Sequence, residues 1–382
     1  MVVFRAIANF FREADIFLLV LCIASTIFGI VLISSITAGL SGIHVSVQIG
    51  AMIIGIILFV LFSYVDIDII ADKSVFLFIF SVLFIASLLV WGVGEDVQRV
   101  AWLRFGQIGI QPAEITKVTF IIVLAKMVAT FKERRTLNSP LSLLQIGMVF
   151  LVMFASVIYI SDDLGTAIVY LAILLAMLFA GGLKLRWFLF AAVVVAAVFP
   201  FLWNNFFQPH QQARILAPFA PDWGDPYWIE RVLWQPQLSV RAISGGGFFG
   251  QGLGNGFLTQ GQGGIRIPAQ HTDFIFSGAG EELGFLGCIF IVILLVAIII
   301  RCFYVGAKSN NSLGFLVSIG ITAMFMAQTL QNIGMTLGVM PVIGLPLPFF
   351  SYGGSSIVTY FAAAGIISGI KMRPKPARFR SL

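Results

Sequence analysis

The sequence predicts an all-α polytopic membrane protein, and three observations predict it. Of 382 residues, 59% are hydrophobic and only 10% are charged, where a soluble domain carries about 25% charged residues; mean hydropathy is +1.01. The apolar residues fall in runs as long as a bilayer requires, about 20 residues per helix, rather than in the short alternating segments of a β-barrel. Lys and Arg collect in alternate loops between those runs. A soluble enzyme and a barrel are both excluded.

Ten transmembrane helices are expected, over residues 15–36, 45–65, 75–91, 113–131, 142–160, 165–182, 187–203, 282–304, 312–334 and 355–370. The first run is too long for a signal-peptide core and lacks a small-residue cleavage pattern, so it is expected to be a retained span. With ten helices both termini share a side, and 16 Lys and Arg fall on that side against 6 on the other, with Lys117 inside a span. The positive-inside rule places both termini in the cytoplasm. The largest loop, residues 204–274, is then extracytoplasmic. Its Trp223, Trp228 and Trp234, set among apolar neighbours, suit the bilayer interface better than disorder. Two short interfacial helices are expected there, Pro226–Leu233 and Leu238–Ile243, ahead of a glycine-rich stretch. No repeat or composition break divides residues 1–382, so one membrane domain is expected.

The net charge of +6 and pI near 9.4 do not signal nucleic acid, because the basic residues lie where they set topology. Cys22, Cys288 and Cys302 lie in or beside apolar runs and have neither metal-ligand nor disulfide spacing.

Ionisable groups at a membrane edge are costly and therefore functional candidates. Glu114 and Lys117 follow Gln111–Pro112, a helix-start pattern, and a spacing of three puts them on one helix face. They read either as a structural ion pair or as holders of an anionic substrate. Asp162 and Asp163 read equally as helix N-cap acids and as substrate or cation ligands. Arg99 and Arg104 flank Trp102, where anchoring competes with phosphate capture. The stretch from Ser244 to Gly256 lacks the Gly-Lys-Ser/Thr ending of a nucleotide-phosphate loop, so no nucleotide is expected. Asp273, in His271-Thr-Asp273, could serve as general base, proton relay or cap, with Glu281 and Glu282 further along. Pro341 to Ser356 holds too many prolines and glycines for a continuous helix and reads as a re-entrant loop, tolerable at membrane depth only where protein covers it or it lines a cavity.

Four blocks together resemble the signature of the SEDS family (shape, elongation, division, sporulation). They are Gln111-Pro-Ala-Glu-Ile-Thr-Lys117, Asp163-Leu-Gly-Thr-Ala167, His271-Thr-Asp-Phe-Ile-Phe276 with Gly280-Glu-Glu-Leu-Gly284, and Gly344-Leu-Pro-Leu-Pro-Phe-Phe-Ser-Tyr-Gly-Gly-Ser-Ser356. The resemblance runs from the first span to the last. Within the family, the Pro-Leu-Pro-Phe-Phe-Ser-Tyr run and Ile343, where the division member FtsW typically has lysine, look more like RodA, the elongation member.

The resemblance implies a peptidoglycan glycosyltransferase of the bacterial cytoplasmic membrane that polymerises lipid II into glycan strands. Asp273 matches the family's essential aspartate and would act as general base, with a lipid pyrophosphate as leaving group. Glu114, Lys117, Asp163, Arg99, Arg104, Gln251, His271, Thr272, Ser351 and Ser355 are the implied substrate contacts. A divalent cation, Mg or Mn, is allowed by this chemistry. The implied partners are a class B penicillin-binding protein and other elongation-complex proteins. Three positions depart from the family pattern: Ala101 before Trp102, Ser161–Asp162 before Asp163, and Ala269 ahead of the His-Thr-Asp block. Two other classes compete: a flippase moving an isoprenoid-linked precursor such as lipid II, and a non-catalytic scaffold for a penicillin-binding protein.

Overall fold

The computed structural model describes residues 10–37, 43–94, 101–106, 108–205 and 207–373. Its helices follow the apolar runs closely. The first half of the chain forms α1 (Ile16–Ile36), α2 (Ile43–Tyr64), the short α3 (Ile67–Asp72), α4 (Ser74–Ala86) and α5 (Leu88–Trp91). After three short strands come α6 (Pro112–Glu133), α7 (Pro140–Ser161), α8 (Leu164–Gly181) and α9 (Leu185–Asn205). The large loop carries α10 (Pro209–Leu216) and α11 (Pro226–Gly246), and the chain ends in α12 (Ile275–Ala307), α13 (Ser312–Thr336) and α14 (Gly354–Met372).

Among the described residues, nine helical segments are long and apolar enough to cross a membrane, α4 and α5 together making one. The tenth expected span is the 22-residue α6. Its length is sufficient; what sets it apart is charge, since Glu114, Lys117, Lys126 and Lys132 all lie on it. It sits inside the bundle, packed by α4, α8, α13 and α14.

Two expectations are corrected. The loop holds one continuous helix, α11, in place of two short ones, and Pro236 lies buried in its interior. The helix survives its missing N–H because α11 packs along α12: tertiary burial outweighs the local cost of proline. The eighth span begins at Ile275 rather than near residue 282, and Gly284, with φ 67° and ψ −161°, breaks it. A feature the sequence did not signal is a three-stranded antiparallel sheet of β1 (Gly92–Val93), β2 (Trp102–Phe105) and β3 (Ile108–Ile110), with Leu103 opposite both Gly92 and Ile110.

The re-entrant reading of the segment after α13 agrees with the structure. Residues 341–347 are irregular, and Leu345, Leu347, Phe349 and Phe350 are at most 1% exposed. Protein covers this backbone, as bilayer depth demands.

At the end of the bundle that carries the termini, one carboxylate ties three helices. Asp15 is wholly buried, caps α1 by accepting from Leu18 N, and receives Arg301 Nε of α12 at 2.8 Å, with Lys371 Nζ of α14 at 3.9 Å. Its own N–H donates to Ser368 Oγ of α14 at 3.0 Å. Nearby, Arg373 pairs with Asp66 and Asp68 at 2.7 Å each.

Candidate active site

The four signature blocks lie far apart in sequence and meet at the loop end of the bundle. Gln111 donates from Nε2 to Asp163 Oδ2 at 2.8 Å and from its backbone N to Ser355 Oγ at 3.2 Å, so the starts of α6, α8 and α14 are tied together. Asp163 caps α8, accepting from Thr166 N at 2.8 Å and Thr166 Oγ1 at 2.7 Å. Burial pushes its carboxyl above the usual carboxylate range, against those hydrogen bonds. Its cap reading is therefore supported by geometry. A Cβ on Gly165, two residues on, would stand 2.6 Å from Ile343 O, which places the re-entrant segment directly on the start of α8.

The same segment touches Asp273. A Cβ on Gly344 would lie 3.2 Å from Asp273 Oδ2, and Gly344 has φ 67°, so this position needs glycine for its backbone angle as well as for the space it leaves. Asn332 of α13, wholly buried, donates from Nδ2 to Asp273 O at 2.8 Å and to Leu345 O at 2.7 Å. One amide thus fixes the aspartate and the loop beside it. Ser351 closes the other side, donating to Thr272 O at 2.5 Å and accepting from Leu347 N at 2.8 Å. Gln48 of α2 adds a two-sided clamp, donating to Ser351 O and accepting from Gly353 N. Asp273 itself is half-buried, with Phe274, Ile275 and Phe276 buried behind it.

His271 stacks near His44 of α2 with ring centroids 4.8 Å apart, and Tyr352 lies 4.8 Å from His44 and 5.6 Å from His271. Burial, reinforced by His44, lowers His271 from 6.5 to about 4, so it is neutral at physiological pH. Burial raises the Tyr352 phenol, opposed by the positive charge of Arg104, which brings Arg104 into this cluster. Arg104 is exposed on β2. Arg99 lies outside the described residues.

Glu114 and Lys117 form an ion pair of 2.6 Å with side chains 1% and 0% exposed. Tyr170 and Thr116 lie beside them, their hydroxyls 2.8 Å apart. The pair is sealed inside the bundle, and Glu114 Oε2 makes no hydrogen bond there.

Glu281 and Glu282, sequence candidates for acid–base work, are buried and fully engaged in holding the glycine-rich loop. Glu281 accepts from Leu258 N at 2.8 Å and Thr259 N at 2.7 Å. Glu282 accepts from Thr259 Oγ1, Gln260 Nε2 and the hydroxyl of Ser35 on α1. Gln251 serves the same loop, accepting from Phe257 N at 2.9 Å and donating to Gly245 O at 3.2 Å. Thr272 donates to Ala269 O at 3.1 Å, within a turn in which Ala269 has φ 47°. Sequence reading missed Asn332, Gln48 and His44; their only signal was polarity inside apolar runs.

A protein-held divalent cation needs several hard oxygen ligands. Among the described residues no three His, Cys, Asp or Glu come together in a way that could hold a metal ion, and Asp163 and Glu281 already accept hydrogen bonds at both carboxylate oxygens. Among the described residues these carboxylates do not form such a ligand set.

The model of the FtsW/RodA/SpoVE family, described as cell cycle protein, matches residues 14–375. The peptidoglycan glycosyltransferase MrdB of Escherichia coli strain K12 is 30% identical over 329 residues, covering 86% of this chain and 85% of that one. The probable peptidoglycan glycosyltransferase FtsW of Bacillus subtilis strain 168 is 32% identical over 333 residues, covering 85% and 80%. Among solved structures, a chain of a peptidoglycan synthase complex that coordinates polymerization and crosslinking superposes with a TM-score of 0.78 at 28% identity, covering 94% and 98%. The rod shape determining protein RodA of Thermus thermophilus shares the fold, with a TM-score of 0.68 at 24% identity over 94% and 97% of the two chains. The match along nearly the whole chain, with all four blocks gathered at one end of the bundle, makes this protein a member of the FtsW/RodA/SpoVE family, the SEDS family, and a multi-pass protein of the bacterial inner membrane.

Proposed function

We propose that this chain is a peptidoglycan glycosyltransferase that polymerises lipid II during cell elongation, with Asp273 as general base. The observation that carries the reading is the place of Asp273: a half-buried carboxylate where all four blocks converge, pinned through its backbone by Asn332 and given room by Gly344. The Asp273 carboxylate takes the proton from the acceptor sugar's 4-hydroxyl as that oxygen attacks the donor's anomeric carbon. The bond from that carbon to the lipid pyrophosphate breaks, and the pyrophosphate departs as an anion. Its charge needs no second carboxylic acid of the glycosidase kind. Arg104, whose charge reaches Tyr352, is the cation proposed to meet that anion.

Both termini then lie in the cytoplasm and residues 204–274 outside, where lipid-linked sugars are polymerised. A class B penicillin-binding protein with one membrane span is the proposed partner, with other elongation-complex proteins around it. The relationship to a chain from a complex of polymerization and crosslinking supports that pairing.

The test is polymerisation of labelled lipid II by the purified chain with its partner. Asp273→Asn keeps size and polarity but cannot take the proton, so it should fold, bind the partner and lose about 10²–10⁴-fold in rate. Near-normal glycan synthesis by this variant would remove Asp273 as base. Vectorial movement of lipid II without polymer would favour a flippase, and full complex activity with the Asn variant a scaffold.

A further inference from the structure

A second cationic place lies on the opposite flank of the segment that carries Asp273. Between α11 and the glycine-rich loop is a cavity of about 290 Å³, lined by Trp234, Leu238 and Arg241 from the helix and by Ile265 and Arg266 from the loop. Arg266 is held in position: its Nη2 donates to Gln260 O at 3.2 Å, and its Nε lies 2.6 Å from where a Cβ on Gly261 would stand, so only glycine admits it there. Neither Arg241 nor Arg266 has an ion-pair partner among the described residues. Two guanidinium groups from two elements therefore face one cavity with no carboxylate to neutralise them, an arrangement that calls for an anion.

The surroundings narrow the anion. Trp234 and Ile265, 50% and 48% exposed, give the cavity an apolar rim of the kind found at a bilayer interface. Its buried wall is Leu238, which packs with Ile267 and Phe274, the residue after Asp273. The neighbouring cavity, about 420 Å³, shares Gln237 but is lined by Asp222 and Glu230, so the cationic character is confined to one compartment. The site thus suits a phosphate group attached to an apolar chain, one layer of side chains from the reacting carboxylate.

The proposed reaction needs such a site. It joins two lipid-linked sugars, and each brings a pyrophosphate. The bond to the anomeric carbon breaks only in the donor; the acceptor keeps its pyrophosphate throughout, displaced from the reacting oxygen by its sugar unit. Two anions must be held at once, and Arg104 with its aromatic neighbours answers to one of them. Resting on that glycosyltransferase reading, we propose that the Arg241–Arg266 cavity binds the pyrophosphate headgroup of the second lipid-linked sugar.

The experiment counts ligands on the full chain in phosphatidylcholine nanodiscs, with farnesyl pyrophosphate as probe and native mass spectrometry as readout. The unsubstituted chain should bind two, and the R241Q/R266Q double variant one, with unchanged thermal unfolding because both residues are exposed. Farnesol should not bind. In polymerisation, the double variant should raise the apparent KM for lipid II by at least about tenfold, the scale of a lost charge-assisted hydrogen bond, with kcat little changed. Two ligands retained by the double variant, or one on the unsubstituted chain, would overturn the assignment. Phosphatidylglycerol displacing the probe from this cavity at equal concentration would overturn it too, making the cavity a general phospholipid site. The binding count needs no turnover. A chain that polymerises yet binds one probe loses the second site alone, whereas a chain that binds two and never polymerises loses the glycosyltransferase reading.

Discussion

At the end of the bundle that carries the termini, buried and half-exposed carboxylates are met by cations: Asp15 by Arg301 and Lys371, Asp66 and Asp68 by Arg373. At the loop end, Asp163, Glu281 and Glu282 are met by neutral donors, namely backbone N–H groups, hydroxyls and amides. The first arrangement clamps helices with charge on charge. The second leaves two arginines of the loop end, Arg241 and Arg266, without carboxylates to neutralise them in any ion pair between described residues. An enzyme that must hold pyrophosphates at one face benefits from that division, because an arginine already paired binds phosphate only by giving up its partner.

Glu114–Lys117 is the exception, an ion pair at the loop end, and it gives the sharpest way to break the contrast. Reversing either charge alone leaves like charges in a site sealed from water, and should cost about 3–5 kcal/mol in detergent unfolding. The double swap should recover most of it. A double swap that folds yet makes no polymer would assign the pair to substrate after all.

The terminal clamp comes next. Asp15→Ala removes the centre of the α1–α12–α14 contact and leaves Arg301, itself 22% exposed, without its partner. A loss of about 2–3 kcal/mol is expected, below the fully buried case because water reaches the guanidinium. Polymerisation per folded molecule should be unchanged.

A smaller and local effect is expected from Glu281→Gln. The amide keeps one acceptor but turns an N–H toward a backbone N–H, forfeiting one charge-assisted bond, about 1.5–3 kcal/mol. Limited proteolysis should then cut near residues 252–260 while global unfolding shifts little. An unchanged cleavage pattern would mean that the carboxylates do not organise the loop.

The smallest effect concerns pH. His271, shifted down to about 4, stays neutral in the fold while the unfolded chain takes up a proton near 6.5. Stability is full above pH 6.5 and falls on acidification between 6.5 and about 4, since the unfolded state binds more protons in that window. His44 and Tyr352 are the groups shown facing this imidazole. His271→Gln should flatten the slope in that window, measured as unfolding temperature against pH.

The spans were legible because a bilayer imposes length and hydropathy directly on the sequence, and α6 could be placed despite its charges because Pro112 and Glu114 mark a helix start. The continuity of α11 was not, because Pro236 argues locally for a break and only packing on α12 overrules it. The site was legible as four motifs and Asp273. Its supports were not: Asn332 and Gln48 act across 59 residues and about 300 residues respectively, and no local pattern records such a pairing. Glu281 and Glu282 look like catalytic acids in sequence for the same reason, their donors lying more than 20 residues away.

Beside the two glutamates, the glycine-rich loop meets α12 main chain to main chain. Phe285 N and Leu286 N donate to Gly247 O and Phe248 O, Gln251 N and Gly252 N donate to Glu281 O and Glu282 O, and a Cβ on Gly246, Gly250 or Gly284 would stand 1.9–2.3 Å from backbone atoms of the opposite segment. At these three close approaches only backbone atoms face each other, so no neighbouring side chain can yield to make room. Substitution there is therefore expected to be all or nothing: a side chain at any of these three glycines has no space and no rescuing partner, while the exposed Phe249 and Leu253 beside them can be changed at little cost.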